Sequence, residues 1–228
     1  MIGYFVIVGV FTAIGFFVSR RLKSKFKKYS QFKTQSGLSG AEIAQEMLRH
    51  FGVSDVQVKE GRGMLTDHYN PLNKTVSLSP EVYNGRHVAA AAVAAHECGH
   101  AVQHAQSYAM LGLRSNLVPI VKFSSTVQQF LFMAFIFGMG FGLGGQTILI
   151  ILTASFGITA LFSLVTLPVE FDASNRALIW LDESGFTHGA EYEGAKDALW
   201  WAAMTYVSSA LASLVIFLFF ALRLVGSD

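Results

Sequence analysis

Residues 123–169, FSSTVQQFLFMAFIFGMGFGLGGQTILIILTASFGITALFSLVTLPV, contain no Asp, Glu, Lys, Arg or His. A membrane-spanning helix needs about 20 mainly apolar residues, so this run is too long for one span. It is interrupted by a glycine-rich break from Gly138 to Gly145, followed by Gln146. The pattern predicts two apolar helices joined by a tight turn, over roughly 117–139 and 147–169. Two further runs lack charge, Met1 to Ser19 and Ala198 to Leu222, and each has the length of one span. The expectation is four transmembrane helices. Composition agrees: the chain is 52% hydrophobic and only 14% charged, against about 25% charged in a soluble domain. Disorder is excluded by the amount of apolar surface. A single cysteine, Cys98, excludes an intramolecular disulfide framework and a cysteine-rich zinc module. A net charge of +2 gives no support to nucleic-acid binding.

Charge also orients the chain. Nothing basic precedes the first apolar run, so it reads as a retained anchor rather than a cleaved signal. Arg20, Arg21, Lys23, Lys25, Lys27, Lys28 and Lys33 follow it directly, and no acidic residue occurs before Glu42. The positive-inside bias places this end in the cytoplasm and the N-terminus outside. Counting spans then puts residues 20–116 and 170–197 inside and the 138–145 turn outside. The expected organisation is a first transmembrane helix (1–19), a basic juxtamembrane segment (20–36) and an α+β region (37–116). A transmembrane hairpin (117–169), a cytoplasmic segment (170–197) and a last transmembrane helix (198–225) follow.

Within the α+β region, Ser39 and Glu42 form a capping-box pattern. Ile43, Met47, Leu48 and Phe51 follow at helical spacing, and Gly52 ends that helix. Val56 and Val58 alternate with polar residues, as do Val76 and Leu78, predicting two short strands. Strand 74–79 is either an ordinary structural strand or an edge to which an extended substrate adds. A long helix is expected from about His87 to Gln106, supported by the alanines at 89–92, 94 and 95.

That helix contains His96-Glu97-Cys98-Gly99-His100. Two histidines at i and i+4 lie on one helical face and can bind one cation. Glu97 is placed to take a proton from water without being a ligand. His104 shares the face, but the rise from 96 to 104 is about 12 Å, too far for one ion; it reads as a solvated residue or one that supports the ligands. Cys98 is offset from the His face and reads as packing against a neighbour, with thiolate ligation the lesser alternative. A third ligand is needed. Glu170, at the cytoplasmic end of the third expected span (147–169), fits best, because a carboxylate at that depth is costly without a partner. Glu193, with Asp197 beyond it, is the runner-up. Trp200, Trp201 and Tyr206 read as an interfacial aromatic anchor.

The stretch Ala95 to His104, followed by two spans and then Leu167-Pro168-Val169-Glu170-Phe171-Asp172-Ala173-Ser174, resembles the YugP-like neutral zinc metallopeptidases of bacterial and archaeal membranes. Asp67-His68-Tyr69-Asn70-Pro71 and the segment Leu199 to Ala210 share the resemblance, so it covers nearly the whole chain. A wider similarity is to HtpX-type and CAAX-processing membrane proteases. The resemblance implies a membrane protein, mainly α, with a small α+β zincin-like catalytic unit on the cytoplasmic side. It implies a zinc endopeptidase of the gluzincin kind in a prokaryotic plasma membrane, with one Zn2+ per chain held by His96, His100 and Glu170, and Glu97 as base. A peptide or membrane-protein substrate and the lipid bilayer are the implied partners, with no nucleic acid. The wider class carries an Asp four residues after the glutamate, which orients a zinc-bound histidine. Here that position is Ser174, and the nearby carboxylate is Asp172, on another helix face. His68, Tyr69, Arg176 and His188 are candidates for stabilising an oxyanion.

Overall fold

The computed structural model describes residues 2–136 and 144–226. The elements run α1 (Ile2–Tyr29), α2 (Gly40–His50), β1 (Gln57–Glu60), β2 (His68–Asn70), β3 (Thr75–Leu78), α3 (Pro80–Asn84), α4 (Val88–Ala105), α5 (Ala109–Ile136), α6 (Gly145–Glu183) and α7 (Ala190–Val225). Among the described residues, α1, α5, α6 and α7 are long and apolar enough to cross a membrane. Most of the turn expected at 138–145 lies outside the described residues; α6 begins at Gly145 with Gly144 as its N-cap.

The long helices outrun the charge-free stretches. α5 begins eight residues before position 117 and includes Arg114 and Lys122. α6 continues through Glu170, Asp172, Arg176 and Asp182. Absence of charge marks what lipid tolerates, whereas a helix continues wherever its backbone bonds and neighbours support it. Even Pro168 is accommodated inside α6, although it supplies no N–H to the preceding turn.

α2 starts as its sequence dictates. The Ser39 hydroxyl accepts from the Glu42 N–H, and the Glu42 carboxylate accepts from the Ser39 N–H at 2.7 Å. Ile43, Ala44, Met47 and Leu48 bury its inner face against α4. The sheet has three strands in the order β1-β3-β2, with β1 parallel and β2 antiparallel to β3. Strand 74–79 is therefore not an edge: both sides of β3 are paired, which rules out strand addition there. β2 was not anticipated, because His68-Tyr69-Asn70 shows no apolar alternation; it forms through pairing with Thr75 to Ser77. Asp67 fixes its start by accepting from the Ser79 N–H at 2.7 Å and from the Ser79 hydroxyl at 3.0 Å.

α4 is the centre of the molecule. It packs on α6, α2 and α7, and nearly all of it is buried. The alanines at 89–92, 94 and 95 favour helix, and their small side chains also let three helices close around one. The N–H of Ala90 donates to His87 Nδ1 at 3.1 Å, capping the helix. The bundle is joined at the basic end of α1, where Lys25 and the Tyr29 hydroxyl both donate to Asp197 of α7 at 2.6 Å.

Candidate active site

α4 presents His96, Glu97 and His100, and α6 presents Glu170. Close approach of the two helices depends on Gly99: a Cβ there would lie 2.6 Å from the Ala173 carbonyl oxygen. His96 Nε2 stands 3.4 Å and His100 Nε2 3.5 Å from Glu170 Oε2. The three ligand atoms lie within 4.8 Å of one another.

A buried amide fixes the tautomer of His100. Gln103 is fully buried. Its amide nitrogen donates to the Val169 carbonyl at 2.8 Å and to Asp172 Oδ2 at 2.7 Å. Two acceptors around that nitrogen leave Gln103 Oε1 facing His100 Nδ1 at 3.0 Å, so His100 Nδ1 carries the proton and donates. Nε2 of His100 is then a bare lone pair aimed at Glu170. His96 Nδ1 stands 3.1 Å from Ser174 Oγ, a hydroxyl that can accept from the same tautomer. Position 174 thus faces a histidine ring with a hydroxyl where the wider class has a carboxylate, while Asp172 acts on the other histidine through Gln103. Asp172 is in turn held by Arg176 Nε at 2.6 Å.

Two lone pairs pointing at a carboxylate repel it unless a cation lies between. Glu170 is 1% exposed, and among the described residues neither of its oxygens has a hydrogen-bond partner. Arg114 Nη2, 3.6 Å from Oε1, is a long ion-pair contact, and a buried charge so weakly paired is costly. Burial disfavours a charged His100, yet the Glu170 carboxylate outweighs it and pulls the ring above the ordinary histidine range. The site therefore attracts positive charge. Ligands about 2.0–2.1 Å from a tetrahedral zinc stand about 3.4 Å apart, which matches the two nitrogen–oxygen separations. The donor set, two neutral imidazoles and one carboxylate, fits zinc.

Glu97 is a separate group. Its Oε2 accepts from the Tyr69 N–H at 3.0 Å, so β2 positions it beside the ligands. Both line a cavity of about 270 Å³ together with His100, Glu170, Asp67, His68, Pro71, Arg114 and Tyr206. A larger hollow of about 540 Å³ between α2 and β1 holds none of these residues.

The other sequence candidates are distributed as follows. His68 lies on the cavity wall, with Nδ1 2.8 Å from the Thr66 carbonyl. The Tyr69 hydroxyl is turned to His104 Nδ1 at 2.7 Å, so Tyr69 meets the site through its backbone. His104 stays at the exposed end of α4. Arg176 is tied to Asp172 and, at 2.6 Å, to Gln106, and does not line the cavity. His188 is exposed beside Asp182, 3.4 Å away, and the structure does not bring it to the site. Glu193 and Asp197 are at the α7 start, and Asp197 is committed to Lys25. Cys98 is buried, with its thiol donating to the Ala44 carbonyl at 3.5 Å. Burial, helped by the nearby Glu97 charge, pushes that thiol well above its ordinary value.

Sequence reasoning missed Gly99, Gln103, Arg114 and Tyr206. Gln103 carried a signal: it lies three residues after His100 on a helix with few polar side chains. Tyr206 is a correction, since it lines the cavity rather than serving only as an interfacial anchor. Its distance in sequence from every other cavity residue hid this.

The sequence profile of one protein family, described as "Putative neutral zinc metallopeptidase", matches residues 4–224. The chain is 42% identical over 201 residues to a Bacillus subtilis (strain 168) protein named "Putative membrane protease YugP", covering 88% of this chain and 87% of that one. No solved structure matches it. Four apolar helices, a His-His-Glu cluster and a match along almost the whole length point the same way: the chain is a multi-pass membrane protein that belongs to this neutral zinc metallopeptidase family.

Proposed function

We propose that the protein is a membrane-embedded zinc endopeptidase that hydrolyses peptide bonds at the cytoplasmic face. The observation that carries this reading is the buried Glu170 carboxylate, without hydrogen-bond partners among the described residues, facing two histidine nitrogens, with a tethered Glu97 beside it. One zinc per chain, held by His96, His100 and Glu170, would polarise the scissile carbonyl and make water a nucleophile near neutral pH.

The chain's own residues do the rest. Gln103 holds His100 in the tautomer that leaves Nε2 free, and the Ser174 hydroxyl holds the His96 ring in place. The Tyr69 N–H holds one Glu97 oxygen, leaving the other to receive the proton of the attacking water. Glu97 then returns that proton to the leaving amine as the C–N bond breaks. Substrate is a peptide or membrane-protein segment; at the rim of the cavity it meets β2, the strand next to α4. The cytoplasmic orientation is supported by the basic end of α1, which Lys25 and Asp197 join to the start of α7. A metal carrier or sensor would need the ligands but no tethered carboxylate beside them.

The test uses protein purified in detergent, stripped with a chelator and reloaded with zinc. Cleavage of an unfolded protein substrate should vanish on stripping and return with one equivalent of zinc. Stoichiometric zinc with no cleavage of unfolded or membrane substrates would favour the carrier reading.

A further inference from the structure

Peptide hydrolysis needs hydrogen-bond donors aimed at the oxygen that becomes negative during attack. The sequence candidates are largely engaged elsewhere: the Tyr69 hydroxyl with His104, Arg176 with Asp172 and Gln106, His188 with Asp182. On the cavity wall formed by α5 and α7, two strong donors stand apart from these pairings. Arg114 Nε is buried with no hydrogen-bond partner among the described residues, and its Nη2 is 3.6 Å from Glu170 Oε1, too long for a good hydrogen bond. Its side chain is 30% exposed, so it opens onto the cavity rather than being sealed in the bundle. The Tyr206 side chain lines the same cavity as Glu97, Arg114 and Glu170. An arginine inside an apolar helix needs a functional or structural reason, and one long contact to Glu170 leaves most of its five N–H groups uncommitted.

We propose that Arg114 and Tyr206 are the oxyanion donors of this site. The inference rests on the peptidase reading above. When water oxygen bonds to the carbonyl carbon, the carbonyl π electrons move onto oxygen while the water proton passes to Glu97. The Arg114 guanidinium and the Tyr206 hydroxyl donate to that oxygen. When the electrons return, the C–N bond breaks and the amine takes the proton from Glu97. The two donors enter from α5 and α7, whereas the base enters from α4 and is tied to β2. Donors and base therefore occupy different walls of one cavity.

The test is a set of zinc-loaded variants: Tyr206→Phe, Arg114→Met, Arg114→Lys and His68→Gln. Tyr206→Phe and Arg114→Met should each lower kcat about 10²–10³-fold, with KM changed little and zinc content and Tm unchanged. Arg114→Lys keeps the charge beside Glu170 and should recover part of the loss, which separates donation from simple ion pairing. Calorimetric binding of a phosphonamidate peptide, a tetrahedral anion, should weaken in parallel with kcat, while a cleaved product peptide binds all forms alike. Cleavage by wild type with no loss in Tyr206→Phe and Arg114→Met, or loss confined to His68→Gln, overturns the donor assignment and leaves the peptidase reading standing. Loss of zinc in Arg114→Met that Arg114→Lys restores, with phosphonamidate affinity unchanged per zinc-loaded site, assigns Arg114 a structural role and also overturns it. Wild-type protein that neither cleaves nor binds the phosphonamidate overturns both.

Discussion

Gly99 and Ala173 are in direct backbone contact: a Cβ on Gly99 would lie 2.6 Å from the Ala173 carbonyl oxygen and 3.1 Å from its Cα. The residue between Glu97 and His100 thus sets how near α4 comes to α6, and with it whether Glu170 reaches both rings. Gly99→Ala must push the helices apart. Overpacking of this kind costs about 1–3 kcal/mol, so Tm should drop by several degrees and zinc occupancy should fall. Normal Tm and zinc in Gly99→Ala would contradict the close approach.

The rings are held by Ser174 and Gln103, and loss of such partners typically weakens metal binding about 10–100-fold. Ser174→Ala removes one contact to His96. Gln103→Leu removes the contact to His100 and strands Asp172 and the Val169 carbonyl. Competition with a chelator should rank zinc affinity as wild type, then Ser174→Ala, then Gln103→Leu. Equal affinities for all three would show that the rings need no such support.

Four apolar helices and the metal face of α4 were legible because each is written in consecutive residues: missing charge over whole runs, and His96 and His100 one helical turn apart. Glu170 was legible because a carboxylate at that depth stands out against apolar sequence. The rest depends on contacts across helices. Nothing near Tyr206 in sequence marks it as a neighbour of Glu170, and nothing near Arg114 shows an unpaired Nε. Helix ends are not written in the charge pattern: the charge-free run stops short of Arg114 and Glu170, whereas α5 and α6 carry both inside continuous helices. β2 was invisible because its strand character comes from β3.

His87 makes the start of α4 sensitive to pH. Its ring accepts from the Ala90 N–H, and burial lowers its pKa below the ordinary 6.5. The fold therefore favours the neutral ring. That contribution is full above about pH 6.5 and is lost as pH falls through the lower folded value. His87→Asn retains an acceptor at the cap without titrating. Thermal melts of chelator-treated protein between pH 8 and pH 5 should show a steeper decline for wild type than for His87→Asn; parallel curves would refute the assignment.

Cys98 allows the orientation to be read directly. It is the only cysteine, it is buried, and its thiol is held protonated, so wild-type protein should resist maleimides. Lys59→Cys, on an exposed strand residue, should label only when the reagent reaches the cytoplasmic side. Gly144→Cys, with open space beyond its Cα, should label from outside. The reverse pattern would invert the topology.

The central claim is that Glu97 moves a proton while Glu170 holds the metal. Glu97→Gln and Glu170→Gln are the same chemical change at two positions, so any difference in metal content comes from position alone. The decisive measurement is zinc per chain together with cleavage of a flexible substrate in detergent for both. Glu97→Gln should keep near-normal zinc while cleavage falls about 10²–10⁴-fold, the worth of a positioned base, and Glu170→Gln should lose most of its zinc. Full cleavage by Glu97→Gln, or normal zinc in Glu170→Gln, would contradict the account.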